Sequence, residues 1–353
     1  MSMAQFCVLG SMRPILLTHQ KNTQMKNLKR LGLMAGLIVG STLLQNCGSD
    51  DPTPQATEVF VAGYVDDSKA NYSVAYTKNG AIEIVGDGSV YEYANDCTIE
   101  GNDFYMAGIS GNDMAYWKNG MRTIVPKDPS QPWEEITQII IKNGKKYFQA
   151  YSPAGTNAFR YYVDGARTIL VSPSSVGEMS VSSTGDVYVV GASSTGRAVY
   201  WKNGVENELS TQDSGAAGIH IVGSDVYITG YYYNAESMPI PVYWKNGTMT
   251  ELELSEEGVG ARPEKIFVSG DDVFVAGQLT DDNLVMWENG VMTTLVAEGV
   301  TLNRLFDLEV KKGNVYVLCK NQSTGKSFLL KNGALVAPFN GTQQGEFSSM
   351  AIN

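Results

Sequence analysis

The chain has 353 residues, 43% of them apolar, and 37 acidic side chains against 26 basic ones give a formal net charge of −11. An acidic balance of this size repels nucleic acid and anionic lipid headgroups, which excludes recognition of either by bulk charge. Four cysteines and two histidines are too few for a dense disulfide framework or a histidine-rich metal centre.

In chain order, residues 1–24 read as an extension upstream of the working start, because a secretory leader begins after them. Met25-Lys26-Asn27-Leu28-Lys29-Arg30 is a short basic head, and Leu31 to Leu44 is an apolar run of fourteen residues. That run is too short to span a bilayer and has the length of a signal-peptide core. It ends in Leu44-Gln45-Asn46-Cys47-Gly48, which resembles the lipobox of bacterial lipoproteins, although Asn46 stands where that family usually carries Gly, Ala or Ser. The resemblance implies that residues 25–46 are a lipoprotein signal peptide and that Cys47 is acylated as the mature N-terminus. Ser49-Asp50-Asp51 resembles the acidic export tag that sends some Gram-negative lipoproteins to the outer face of the outer membrane. The implied address is the bacterial outer membrane, with a lipid anchor and the domain facing the exterior. Residues 47–57 then form the lipidated Cys and a polar, Pro-containing tether. Loss of the leader removes Arg13, Lys21, Lys26, Lys29 and Arg30 and no acidic residue, leaving 21 basic against 37 acidic and a net charge of −16.

Residues 58–353 are organised by a five-residue phrase. Tyr-Trp-Lys-Asn-Gly stands complete at Tyr116 to Gly120, Tyr200 to Gly204 and Tyr243 to Gly247. Weakened copies occur at Met286 to Gly290, Tyr161 to Gly165, Tyr76 to Gly80 and Leu329 to Gly333, so the turn glycines lie 40, 45, 39, 43, 43 and 43 residues apart. A second run, rich in β-branched and aromatic residues and mostly bounded by Gly, precedes six of the seven phrases, as in Val59-Phe60-Val61-Ala62-Gly63 and Val273-Phe274-Val275-Ala276-Gly277. It reads as a strand buried on both faces. Each repeat therefore parses as a four-stranded antiparallel meander whose last hairpin turns at Asn-Gly or Asp-Gly, residues that tolerate the positive φ of a type I′ turn. The opening strands are expected near Cys97, Ile136, Met179, Ile219, Ile266 and Phe306. The first repeat lacks one, while Phe347 to Asn353 follows the last repeat with nothing behind it. The expected fold is all-β: a seven-bladed β-propeller of four-stranded blades, closed by the C-terminal strand joining the first blade.

Met286-Trp287-Glu288-Asn289-Gly290-Val291-Met292-Thr293-Thr294-Leu295 resembles the HAF repeat of extracellular bacterial proteins, with Asn283-Leu284-Val285 where the family has its leading His-Ala-Phe. The resemblance runs through most of residues 58–340. It implies an extracellular propeller and no catalytic residue.

The Trp of the phrase, at Trp117, Trp201, Trp244 and Trp287 with Tyr162 in its place once, recurs beside a tight turn and is expected to wedge between blades. In such a meander the two tight turns of every blade share one face, and the longer connections share the other. Trp133, Tyr231, Tyr232, Tyr233, Arg262, Asp66 and Asp281 lie in those longer connections and are the expected contacts for a glycan, peptide or outer-membrane partner. Paired acids at Asp66-Asp67 and Asp281-Asp282 lack the alternating ligands of a dedicated calcium loop, so neither a cofactor nor a metal is expected, with calcium as the one ion they could attract. Cys97 and Cys319 sit in apolar strands and are expected as buried free thiols. His220, the sole mature histidine, lies in a strand and is assigned a structural role. Gly325-Lys326-Ser327 resembles the end of a phosphate loop, but Lys320 stands where its first Gly belongs. A non-enzymatic binding or scaffold module is the leading expectation. The alternative is a glycosidase or polysaccharide lyase using loop carboxylates from different blades.

Overall fold

The computed structural model describes residues 57–66, 71–127, 133–152, 159–171, 173–254, 258–336 and 345–353. The expected leader, Cys47 and the expected tether up to residue 56 lie outside the described residues, as do parts of several connections, including Asp67 to Lys69, Asp128 to Pro132 and Glu256-Glu257.

Gln55–Asn353 forms one compact unit of seven four-stranded antiparallel sheets. The first blade orders its strands Gly345–Ile352, Val59–Asp66, Tyr72–Lys78 and Ala81–Ile84, so the C-terminal strand is innermost and closes the ring as expected. Its register pairs Val59 with Ile352 and Val65 with Gly345. The remaining inner strands are Glu92–Glu100, Glu135–Lys142, Pro173–Val181, Ser214–Val222, Ala261–Ser269 and Arg304–Lys311. Several begin well before the expected positions: five residues earlier at Glu92, six at Pro173, five at Ser214 and five at Ala261. The apolar pattern marks only the later half of each inner strand, and small and polar residues precede it.

Seven apolar clusters hold the ring, one at each junction between neighbouring blades. Trp117 packs with Phe60 and Val74 of the first blade, Trp201 with Tyr147 and Tyr161 of the third, Trp244 with Tyr188 and Val190 of the fourth, and Trp287 with Tyr227 and Leu252 of the fifth. All four indoles are at most 1% exposed, so the aromatic of the phrase is an inter-blade wedge. In the third blade Tyr162 takes that place, and its hydroxyl donates to the buried Glu134 carboxylate at 2.9 Å. Cys97 and Cys319 are buried free thiols.

The Asn-Gly turns do more than supply positive φ. In all seven blades both turn residues have positive φ, from Asn79 (51°) and Gly80 (87°) to Asn332 (50°) and Gly333 (77°). In all seven, the Asn or Asp side-chain oxygen also accepts the backbone N–H at or near the start of the second strand, at 2.8–3.0 Å. The outer hairpin is thereby clasped to the inner one. In the complete phrases the Lys joins the clasp: Lys118, Lys202 and Lys245 pair with Asp103, Asp186 and Asp225 at 2.7, 3.2 and 3.0 Å, and each ammonium lies over a Tyr ring. Asn246→Ala is expected to cost about 2–3 kcal/mol, combining a stranded N–H with an Ala forced to positive φ. Asn246→Gly should recover only the backbone part, about 1 kcal/mol. Urea midpoints of the two variants check this; an Asn246→Gly variant as stable as the parent would show that the side-chain bond to Val226 N–H contributes nothing.

Candidate functional site

Antiparallel order places the second-to-third connections and the links between blades on one face, and it is there that the sequence-selected residues fall. Tyr231 to Tyr233 are not a loop but the end of the strand Asp225–Tyr233, so their side chains alternate. Tyr231 and Tyr233 share one side, with ring centroids 5.3 Å apart in an edge-to-face pair. Arg262, at the start of the sixth inner strand, reaches them from the next blade: its guanidinium lies 5.4 Å from the Tyr231 ring and donates to the Tyr233 hydroxyl at 2.9 Å. Tyr232 points the other way and donates to Glu251 at 2.7 Å, so it leaves the group. Trp133 precedes the third blade, where its backbone carbonyl accepts from Ser152 at 2.9 Å. Asp66 ends a strand of the first blade, while Asp281 binds Asn283 of its own turn at 2.8 Å through the side chain. The structure thus assembles three of the seven selected residues and leaves the other four apart. A second aromatic group on this face had gone unselected: Tyr64, Tyr72, Tyr91 and Tyr93 stack between the first two blades, with Tyr64 and Tyr72 at 4.3 Å and Tyr91 exposed, and Tyr93 donates to Glu135.

The central channel gathers Asp96, Glu178, Lys265, Asp307 and Glu309, and the sequence reading missed it. Every inner strand, including the C-terminal one, carries a β-bulge at the same level. After the bulge stand Asp96, Gln138, Glu178, Gly218, Lys265, Asp307 and Ser349, one per blade. Five of these side chains accept the backbone N–H one residue further on in the next blade. Ser349 takes Cys97 N–H (3.1 Å), Asp96 takes Ile139 (2.8 Å), Gln138 takes Met179 (2.6 Å), Glu178 takes Ile219 (3.1 Å) and Asp307 takes Met350 (2.9 Å). A bulge re-aims a strand, and here it turns one polar side chain per blade sideways into its neighbour.

The circuit breaks twice. Gly218 has no side chain, and a Cβ there would lie 2.7 Å from the Glu264 carbonyl and 3.1 Å from the Lys265 Cα, so the sixth blade can approach only because the position is Gly. Lys265 can accept nothing and instead bridges to Glu178, two blades away, at 2.6 Å. Burial alone would depress its amine, but Glu178, Asp307 and Asp96 overcome that and hold it above the ordinary lysine range. Burial raises Asp96 to about 6 against the opposing hydrogen bonds from Ser349 and Ile139. Two residues along the same strand as Asp307, Glu309 is raised to about 8 by burial and then by Asp307, and it has no hydrogen-bond partner among the described residues. His220 sits against Phe267 with centroids 4.2 Å apart, and burial lowers it to about 4, leaving it neutral at physiological pH. These groups line a cavity of about 600 Å³ whose walls include Tyr151, Phe159 and Phe267. Among the described residues no set of three or more His, Cys, Asp or Glu side chains is placed to hold a metal ion.

No protein-family model matches the sequence, and no curated protein sequence does so. Among solved structures the chain is similar to a puromycin hydrolase, at 9% identity and a TM-score of 0.56 over 81% of this chain and 52% of that one. A Mycobacterium tuberculosis puromycin-hydrolyzing peptidase gives 9% identity and 0.55 over the same shares. The chain spans about half the length of these two proteins. The Pseudomonas aeruginosa periplasmic gluconolactonase gives 10% identity and 0.50, over 84% of this chain and 99% of that one. At such identities the likeness is one of fold alone.

Proposed function

We propose that the protein is a non-enzymatic binding module, held by a lipid on Cys47 at the outer surface of a bacterial outer membrane, that presents its loop-rich face to a glycan. The observation that carries the reading is the Tyr231–Tyr233–Arg262 group, in which two aromatic rings and a guanidinium from adjacent blades converge at the surface. Aromatic faces stack on sugar rings, and Arg supplies a planar set of donors to hydroxyl or carboxylate oxygens. The leader and the acidic Ser49-Asp50-Asp51 support the address. The expected result on a glycan array is binding to a defined set of glycans, weakened at least tenfold by Arg262→Ala at unchanged thermal midpoint. Intact cells carrying Cys47→Ser should lose that binding from their surface. Silence across the array, or binding indifferent to Arg262→Ala, would overturn the reading.

One observation favours a second reading, cleavage of a glycan by channel carboxylates. Glu309 is raised to about 8 and Asp96 only to about 6, so one channel carboxyl holds its proton at neutral pH while another does not, which is the pairing that general acid catalysis requires. Release of reducing ends by the protein, abolished in Glu309→Gln, would move the conclusion to that reading.

A further inference from the structure

The channel is unbalanced in charge and in hydrogen-bonding capacity, and both imbalances ask for the same kind of ligand. Asp96, Glu178, Asp307 and Glu309 line the cavity, while Lys265 is the one Lys or Arg among the described residues that do. Each of the first three is anchored by a backbone N–H, so their position is fixed by the bulges of the fold; Glu178 also pairs with Lys265, while Asp96 and Asp307 accept second bonds from the Ser349 hydroxyl and the Leu308 N–H. Gln149 lines the same cavity at 6% exposure; its amide nitrogen donates to the Gly177 carbonyl at 2.8 Å, and its amide oxygen has no partner. An excess of acceptors over donors selects a ligand rich in N–H groups. The walls contribute aromatic faces at Tyr151, Phe159 and Phe267, which attract a cation and tolerate methylene groups. A bare metal ion fits poorly, because the carboxylates are aimed at backbone amides and no described set of three converges.

We propose that the channel cavity is a binding site for an organic ammonium ion, an aliphatic amine or diamine, separate from the glycan-binding face. The site is coupled to protons. Glu309 is pushed up to about 8 by burial and by Asp307, with Glu178 and Asp96 acting in the same direction across the channel; Lys311 opposes them, and Lys265 lines the same cavity. A cation entering beside it favours its ionised form, so the Glu309 carboxyl gives its proton to solvent as the amine binds. Affinity therefore rises with pH through the neutral range, while the amine itself stays charged.

Calorimetric titration of the protein with 1,4-diaminobutane at pH 6 and pH 8.5 tests this, with 1,4-butanediol and calcium chloride as parallel titrants. The diamine is expected to bind at least tenfold more tightly at pH 8.5, and the diol and calcium to give no saturable heat. Glu309→Gln should weaken binding at pH 8.5 about tenfold and flatten its pH dependence, whereas Arg262→Ala should leave it unchanged. Absence of diamine binding at both pH values, a diol that binds as the diamine does, calcium that competes with it, or a Glu309→Gln variant with the original pH dependence would each overturn the assignment.

Discussion

A chain ending at residue 344 is expected to fail to reach the folded state. The strand Gly345–Ile352 supplies Phe347, Met350 and Ile352 to the cluster that joins the seventh blade to the first, where they meet Val61, Tyr316 and Leu318. Loss of each such buried side chain typically costs about 2–5 kcal/mol, so the three together reach the whole stability of an ordinary domain, about 5–15 kcal/mol. The deletion also strips the ladder from Val59 to Val65 and removes Ser349, which links the first blade to the second through Cys97 N–H and Asp96. An unpaired inner edge beside an apolar seam is moreover a template for association between chains. The readout is soluble yield and far-ultraviolet circular dichroism, with Met350→Ala, at about 2–4 kcal/mol by the same range, as the graded companion. A truncated chain that melts cooperatively near the full-length temperature would show that the ring does not depend on its latch.

Lys265→Met is expected to cost about 1–3 kcal/mol near pH 8, below the range for a fully buried ion pair because the Lys265 and Glu178 side chains stay 24% and 22% exposed. The loss should be much smaller at pH 5, and the sign follows from the carboxyl groups left behind. Glu309 has an ordinary value of 4.5 and a folded value of about 8; Asp96 moves from 3.8 to about 6. Groups raised on folding stabilise the native state fully below their unfolded values, and that contribution is lost as pH climbs through the folded ones. Between pH 4 and 8 the channel therefore becomes progressively costlier to hold; Lys265 limits that cost at Asp96, and Lys311 limits it at Glu309. Its own contribution fades only above the lysine range, since its folded value is raised. Without it, Glu178 loses its partner and Asp96 rises further. Glu309→Gln should act in the opposite sense, matching or exceeding the parent in stability at pH 9 and differing little at pH 4. Urea midpoints across pH 4–9 decide; a Lys265→Met deficit independent of pH would mean the bridge acts by packing alone.

Architecture was legible because its determinants are local. Positive φ at Asn-Gly and the aromatic three or four residues before the turn glycine repeat at a near-constant interval, and the leftover strand at Phe347 to Asn353 matches the strand missing before Glu58. The channel escaped notice because its members are single residues some forty positions apart, each conveying nothing alone. A signal did exist: Asp96, Glu178 and Ser349 each stand immediately before the apolar residue that marks Cys97, Met179 and Met350 in their repeats. At Gln138 and Asp307 the same signal is shifted, because the strands expected at Ile136 and Phe306 carry their channel residue two and one positions further on, and Gly218 and Lys265 interrupt it altogether. Tyr231 to Tyr233 misled for another reason. Three consecutive tyrosines in an apparent loop suggest one surface, but in a strand period two sends Tyr232 to the opposite side. The Tyr64, Tyr72, Tyr91 and Tyr93 stack draws on two strands and a link, so no contiguous stretch announces it.

The seven turn-side clasps give the molecule two independent rates of change. Each clasp is complete within its own blade and touches only the ends of strands remote from the loop-rich face. Lengthening, shortening or exchanging a connection on that face breaks none of them. Descendants of such a chain can diversify what they recognise one blade at a time while inheriting the ring unchanged, and a designer grafting peptides between Ser110 and Asp113 or between Asn321 and Lys326 would inherit the same freedom.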